Sequence, residues 1–177
     1  PGYALFAAIK KKLGSPRIIA EDLGFLTEDV TALLKQCGYP GMKVLQFAFS
    51  NDDNEYLPRT YKDENCVVYT GSHDADCTTS WCKKLKGDTL ARFKKECLRF
   101  CGGANRTYAM INLAFQSVAN LVVVPLQDWL LLTNEQGRMN TPSVAQGNWV
   151  WRAPSNYDNH ELIDRIRKTN ERFKREN

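Results

Sequence analysis

Four short apolar runs of strand-forming residues, each closed by a polar cluster, constrain this chain more than any other feature. "RIIA" (17–20) stops at Glu21-Asp22 and "MKVLQFAF" (42–49) at Ser50-Asn51-Asp52. "CVVYT" (66–70) leads through Gly71-Ser72 to His73-Asp74, and "NLVVVPL" (120–126) stops at Gln127-Asp128. Runs without polar alternation predict strands covered on both faces, as in a parallel sheet. Parallel strands need long crossovers, and helical patterns fall between the runs. Leu5, Phe6 and Ile9 recur at helical spacing after Pro1 and Gly2, and Gly14 ends that segment. Thr27 is placed to cap a helix over 28–36, with acids in its first turn and Gly38 beyond its end. Asp88 is placed to cap "TLARFKKECLRF", which stops at Gly102-Gly103, and "RTYAMINLAFQSVA" follows. A loop over 133–155 leads to a last amphipathic helix over 160–174.

In a closed (β/α) barrel all four polar clusters would meet on the rim at the carboxyl ends of the strands, where such folds do their chemistry. Four strands cannot close one, because a barrel takes eight in about 250 residues. The pattern therefore leaves two readings, an open α/β sheet or the second half of a barrel.

Composition removes several function classes. With 177 residues, 43% hydrophobic and 25% charged, the chain can bury a core. No apolar run approaches the roughly 20 residues of a membrane helix, so no membrane is expected. At the N-terminus the lysines follow the apolar stretch, the wrong order for a signal peptide, and a start on proline leads us to expect a preceding segment. The net charge of +4 is mild, and its lysines and arginines interleave with apolar positions as on solvated helix faces. Without a reader motif, no nucleic-acid partner is expected. The six cysteines lack tight zinc-type pairs: Cys77 precedes Cys82 by five positions, and Cys97 precedes Cys101 by one helical turn. Cys37, Cys66 and Cys97 read as small core residues, a usage that fits a reducing cytoplasm.

The motifs "IIAEDLG", "GYPGMKVLQFAF", "YTGSHD", "PLQDWL", "RMNTP" and "GNWVWR" occur in this order across nearly the whole chain. Together they resemble the 4-α-glucanotransferases, the amylomaltases or disproportionating enzymes of glycoside hydrolase family 77. The resemblance implies that 1–177 is the C-terminal half of a (β/α)8 catalytic domain, strands five to eight of a TIM barrel, with the N-terminal half absent. It implies a retaining transfer of α-1,4-glucan segments between maltooligosaccharides, with no metal or organic cofactor. Such chemistry needs two carboxyl groups about 5 Å apart, a nucleophile and an acid/base whose proton is held by a raised pKa.

By this resemblance Glu21 is the acid/base, Asp74 the carboxylate that holds sugar hydroxyls, and His73 a hydrogen-bond donor to the same sugar. Asp22 is expected to hydrogen-bond its loop or contact substrate. Asn140, Gln127 and Tyr56 are expected substrate contacts, with Tyr61 a second ring that could stack on glucose. Arg138 and Asp128 either touch sugar or hold the rim together. The family's nucleophile is an aspartate in an Arg-x-Asp-His stretch before "PGYALF", and no such stretch occurs here, so this chain alone is expected to be inactive. Other departures are Ser72 for the usual threonine, "ADC" for "NDT", and Leu131 to Thr133 in place of a glycine-containing turn.

Several residues have plainer readings. Trp149 and Trp151 alternate and are expected in the core. His160 is expected exposed, and Gly102-Gly103 lacks the context of a phosphate loop. Two other functions share part of this pattern: an α-glucan hydrolase of the same clan, and a non-catalytic half-barrel that binds glucan or self-associates to cover its sheet edges.

Overall fold

The computed structural model describes residues 2–24, 26–101 and 105–175; Pro1, the pair Gly102-Gly103 and the side chain of Cys101 lie outside that set. The described residues form one parallel sheet, β1 (Gly41–Val44), β2 (Cys66–Tyr69) and β3 (Leu121–Val123), in that order. Gly41 aligns with Cys66 and Val44 with Tyr69, while Val67 aligns with Leu121 and Tyr69 with Val123. The helices are α1 (Gly2–Leu13), α2 (Glu28–Cys37), α3 (Thr78–Lys84), α4 (Gly87–Cys101), α5 (Arg106–Gln116), α6 (Leu126–Trp129), α7 (Asn134–Gly137) and α8 (His160–Phe173), while the edge strand β3 stays partly exposed. The class is α/β, as the apolar runs predict.

Three of the four expected strands exist. The run 17–20 is extended, but it makes no ladder with β1. Ala20 N–H donates to the Pro40 carbonyl at 2.9 Å, and Pro40 has no N–H to return. The next available donor, Met42 N–H, goes to the Asp22 carboxylate at 2.6 Å. The run 42–49 is strand only to Val44; beyond it Leu45–Phe47 wind into a 3₁₀ turn that keeps Leu45, Ala48 and Phe49 buried. "NLVVVPL" is also shorter than expected, since Pro125 precedes α6 and Leu126 is already helical.

The long helices follow the periodic segments, with two changes at their caps. Gly38 closes α2 in the left-handed conformation as expected, but the Thr27 side chain makes no cap bond. Asp88 lies inside the first turn of α4 instead of capping it, where its charge still favours the helix dipole. Asn105 caps α5 by accepting Thr107 N–H.

Helix α5 joins two apolar clusters. Met110 and Leu113 pack with Leu45, Phe49, Val68 and Phe93 against the sheet. Ile111 and Phe115 pack with Trp129 and Leu162, which brings α8 onto the back of α5. Each such side chain contributes about 1.5–3 kcal/mol on burial. Cys66, Cys77, Cys82 and Cys97 are buried and Cys37 half-buried, in keeping with core cysteines; burial pushes the Cys77 thiol up to about 11. Helices α1 and α2 bury none of their own residues and meet each other near Phe6, whose ring is edge-on to Tyr39 at 5.4 Å. No helix among the described residues is long and apolar enough to cross a membrane.

Candidate active site

Because the three strands are parallel, their carboxyl ends emerge on one side of the sheet, and the 17–20 segment delivers Glu21 to that side as well. An open cleft of about 590 Å³ lies there, lined by Glu21, Met42, Tyr56, Ser72, His73 and Asp74 among others. Glu21 is exposed on its wall. Residues far apart in the chain thus face one space.

Asp22 does not face it. The side chains of adjacent extended residues point in opposite directions, and the Asp22 carboxylate turns onto β1 to accept Met42 N–H at 2.6 Å. A Cβ on Gly41 would stand only 2.1 Å from Asp22 Oδ2, so glycine is what lets the carboxylate reach the strand. The Asp22 carboxylate thus ties its own loop to β1, as the loop-holding expectation has it.

On β2 the chain leaves the sheet through Thr70, Gly71 and Ser72 to His73 and Asp74. His73 Nε2 lies 3.4 Å from Asp74 Oδ1, and the Asn140 amide donates to the same oxygen. Asn140 therefore joins the cleft through Asp74. The expectation that Trp149 is a core residue fails: it is 56% exposed, and its ring lies against His73 at 5.0 Å. It also has φ 63°, a left-handed backbone that is uncommon for a non-glycine residue. Trp151 is half-buried.

Tyr56 lines the cleft, with Phe47 edge-on at 5.6 Å and the Lys43 ammonium 5.3 Å from its ring centre. Burial first, then the charges of Glu55 and Asp22, hold its hydroxyl above the usual tyrosine range. Tyr61 does not reach the cleft. It packs against the core and donates its hydroxyl to the Tyr56 carbonyl at 3.0 Å. Gln127 also misses the main cleft: it is buried, its amide donates to the Gly137 carbonyl at 3.1 Å, and it lines a smaller neighbouring pocket of about 150 Å³. His160 is exposed at the start of α8.

Asp128 is a structural carboxylate. It is 1% exposed and accepts the Thr70 hydroxyl at 2.6 Å, Thr78 N–H at 2.8 Å and the Thr78 hydroxyl at 2.7 Å. These bonds tie the end of β2, the start of α3 and α6 into one unit. Sequence reasoning missed Thr70, Thr78 and a further carboxylate, Asp76. For Asp76 a signal existed, an acid two positions past Asp74, but nothing in the sequence indicated its partners. Among the described residues no group of three His, Cys, Asp or Glu side chains could hold a metal ion.

Comparison with known proteins bears on this arrangement. A family model described as 4-alpha-glucanotransferase matches residues 1–157. The 4-alpha-glucanotransferase of Clostridium butyricum is 41% identical over 167 residues, covering 94% of this chain and 34% of its own length. The chloroplastic/amyloplastic 4-alpha-glucanotransferase of Arabidopsis thaliana is 44% identical over 171 residues, 94% of this chain and 29% of its own. Among solved structures, the amylomaltase from Streptococcus agalactiae in complex with acarbose superposes with a TM-score of 0.91 at 30% identity, covering 100% of this chain and 36% of that one. The chain spans about a third of the length of the curated relatives it matches.

Proposed function

This chain belongs to the 4-alpha-glucanotransferase family, and on that premise we propose that it is the C-terminal half, strands five to eight, of a (β/α)8 domain that transfers α-1,4-glucan segments between maltooligosaccharides. The observation that carries the reading is the shared cleft, where Glu21 on one wall faces the space that His73, Asp74 and Tyr56 also line. Retaining transfer needs an acid/base and a nucleophile flanking the scissile bond, with further groups holding the sugar ring. Glu21 protonates the leaving oxygen as an aspartate from the remaining part of the barrel attacks the anomeric carbon. It then deprotonates the 4-hydroxyl of a second glucan, so the glycosyl group passes to sugar instead of water.

Asp74, held by the Asn140 amide with His73 3.4 Å away, accepts hydrogen bonds from sugar hydroxyls, and its charge favours the positive character that develops at the anomeric carbon. Tyr56 offers a ring face for stacking on glucose. The Arg-x-Asp-His stretch does not occur within these 177 residues, so in this reading the nucleophile comes from the remaining part of the barrel. The buried cysteines favour a reducing compartment such as the cytoplasm.

The test is incubation of the intact protein with maltotriose. Transfer gives longer maltodextrins plus glucose, whereas maltose plus glucose with nothing longer would replace this reading by hydrolysis. Glu21→Gln should abolish turnover, losing about a thousandfold or more in kcat if it removes the only acid/base. Near-normal turnover in that variant would remove Glu21 from its role.

A further inference from the structure

Asp76 stands two residues beyond Asp74 and does not line the main cleft. Its side chain is only 14% exposed, yet both carboxylate oxygens are engaged. Oδ2 accepts Lys84 Nζ at 2.6 Å, while Oδ1 accepts the Asn134 amide at 2.8 Å and Nη1 of Arg138. The remaining Arg138 donors point elsewhere: Nε donates to the Asn140 carbonyl at 2.9 Å, and Nη2 to the Asp74 carbonyl at 3.3 Å. Asn140 in turn donates its amide to the Asp74 carboxylate. One guanidinium therefore grips the main chain of Asp74 and the main chain of the residue bonded to the Asp74 side chain. Its planar fork can do this and a lysine cannot, since an ammonium has no rigid set of divergent donors.

Asp76 supplies the fixed end of this clamp. Lys84 anchors it to α3 and Asn134 anchors it to α7, so two helices determine where Arg138 sits. Burial pushes the Asp76 carboxyl up, but hydrogen bonds from Lys84 and Asn134 and the charges of Lys84 and Arg138 more than reverse this, leaving it below the ordinary carboxylate value. A partly buried ion-pair network could serve stability alone. Against that stands its direction, because the Arg138 bonds converge on Asp74 and Asn140 at the cleft.

We infer that Asp76 is a positioning residue which, through Arg138 and Asn140, holds the Asp74 carboxylate in place for the sugar; the inference rests on the glucanotransferase reading above. The experiment uses the intact protein and maltotriose, comparing wild type, Asp74→Asn, Asp76→Asn, Arg138→Lys and the Asp76→Asn/Arg138→Lys double variant. Each single change at Asp76 or Arg138 should lower kcat roughly tenfold to a hundredfold, the scale of a misplaced reacting group, with KM changed less than about threefold. The double variant should fall no further than the worse single one, because both act through one route.

A purely structural role would move the thermal midpoint and the active fraction while leaving kcat per active site unchanged, and that result overturns the inference. So do multiplicative losses in the double variant, or wild-type kcat in either single variant. Should Asp76→Asn fail to fold, Arg138→Lys decides alone, since it keeps a cation opposite Asp76 and removes only the fork. An intact wild type that leaves maltotriose unchanged defeats the glucanotransferase reading and this inference with it. An active wild type, an inactive Asp74→Asn and an unaffected Asp76→Asn defeat this inference alone.

Discussion

Gly41 and Asp22 show how much a single backbone contact decides. A methyl group at Gly41 would overlap Asp22 Oδ2 at 2.1 Å, so Gly41→Ala must expel the carboxylate and break its bond to Met42 N–H. The expected cost is about 1–3 kcal/mol, the usual range for overpacking. Asp22→Ala removes the obstacle, so the double variant should cost clearly less than the two single changes added together in urea unfolding. Additive costs would mean the two residues do not touch. Asp128 gives a second residue-level test, through pH. Burial raises its carboxyl, against opposing hydrogen bonds from Thr70 and Thr78, so the folded state keeps the proton to higher pH than the unfolded chain, whose aspartates titrate near about 3.9. Its contribution to stability is fully present below that value and is lost as pH rises through the folded value. Asp128→Asn can accept Thr78 N–H and donate to the hydroxyls, and it does not titrate. Relative to wild type, the variant should therefore gain urea resistance as pH rises from about 4 to about 7. A difference that stays flat across that window would contradict the raised carboxyl.

Among the elements, helices were legible and strand limits were not, for reasons visible in particular residues. Periodic apolar positions marked α1 and α8, since one helix face must find a core, while caps and terminal glycines marked α2 and α4. An apolar run reports burial, and Leu45, Ala48 and Phe49 satisfy it in a 3₁₀ turn as well as they would in a strand. Strand formation at 17–20 is blocked by Pro40 and by the Asp22 side chain, a tertiary contact that no local pattern encodes. Helix α3 was missed because it buries Thr78, Ser80 and Cys82 instead of large apolar residues. At the site, strand-end position and family resemblance led to Glu21, His73 and Asp74. The fate of Gln127, Tyr61 and Trp149 depended on packing partners distant in sequence. Leu131, where the family resemblance leads one to expect a glycine-containing turn, has φ 58°, so the turn keeps a glycine-like backbone at a strain cost of about 1–2 kcal/mol. Helix α8 supplies the prediction at this scale. It joins the apolar cluster through Leu162 beside Ile111, Phe115 and Trp129, apart from the cluster on the sheet. Leu162→Ala should cost about 2–5 kcal/mol and speed hydrogen exchange of α8 amides well before those of β1 and β2. Equal acceleration in all three would show that the clusters unfold as one.

At the scale of the whole molecule, several large apolar side chains stand uncovered by the described residues. Leu5 and Leu13 on α1 are 59% and 70% exposed, and Leu121 on the edge strand β3 is 46% exposed. Among the described residues β1 and β3 are the outer strands of the sheet, and β1 is flanked by the 17–22 segment through the Ala20 backbone bond and the Asp22 carboxylate instead of a full ladder. Unpaired edges of this kind seek another strand. In the proposed barrel the 17–20 segment fills the place next to β1, and the remaining strands attach beyond that segment and along β3, which also brings the missing nucleophile to the cleft beside Glu21. The proposal therefore predicts complementation. This chain and the rest of the intact protein, expressed as separate polypeptides and mixed, should sediment as a one-to-one complex and regain maltotriose disproportionation that neither shows alone. If the two polypeptides sediment independently while each is folded, the exposed edges are not the seam of a barrel, and Glu21 must obtain its nucleophile in another way.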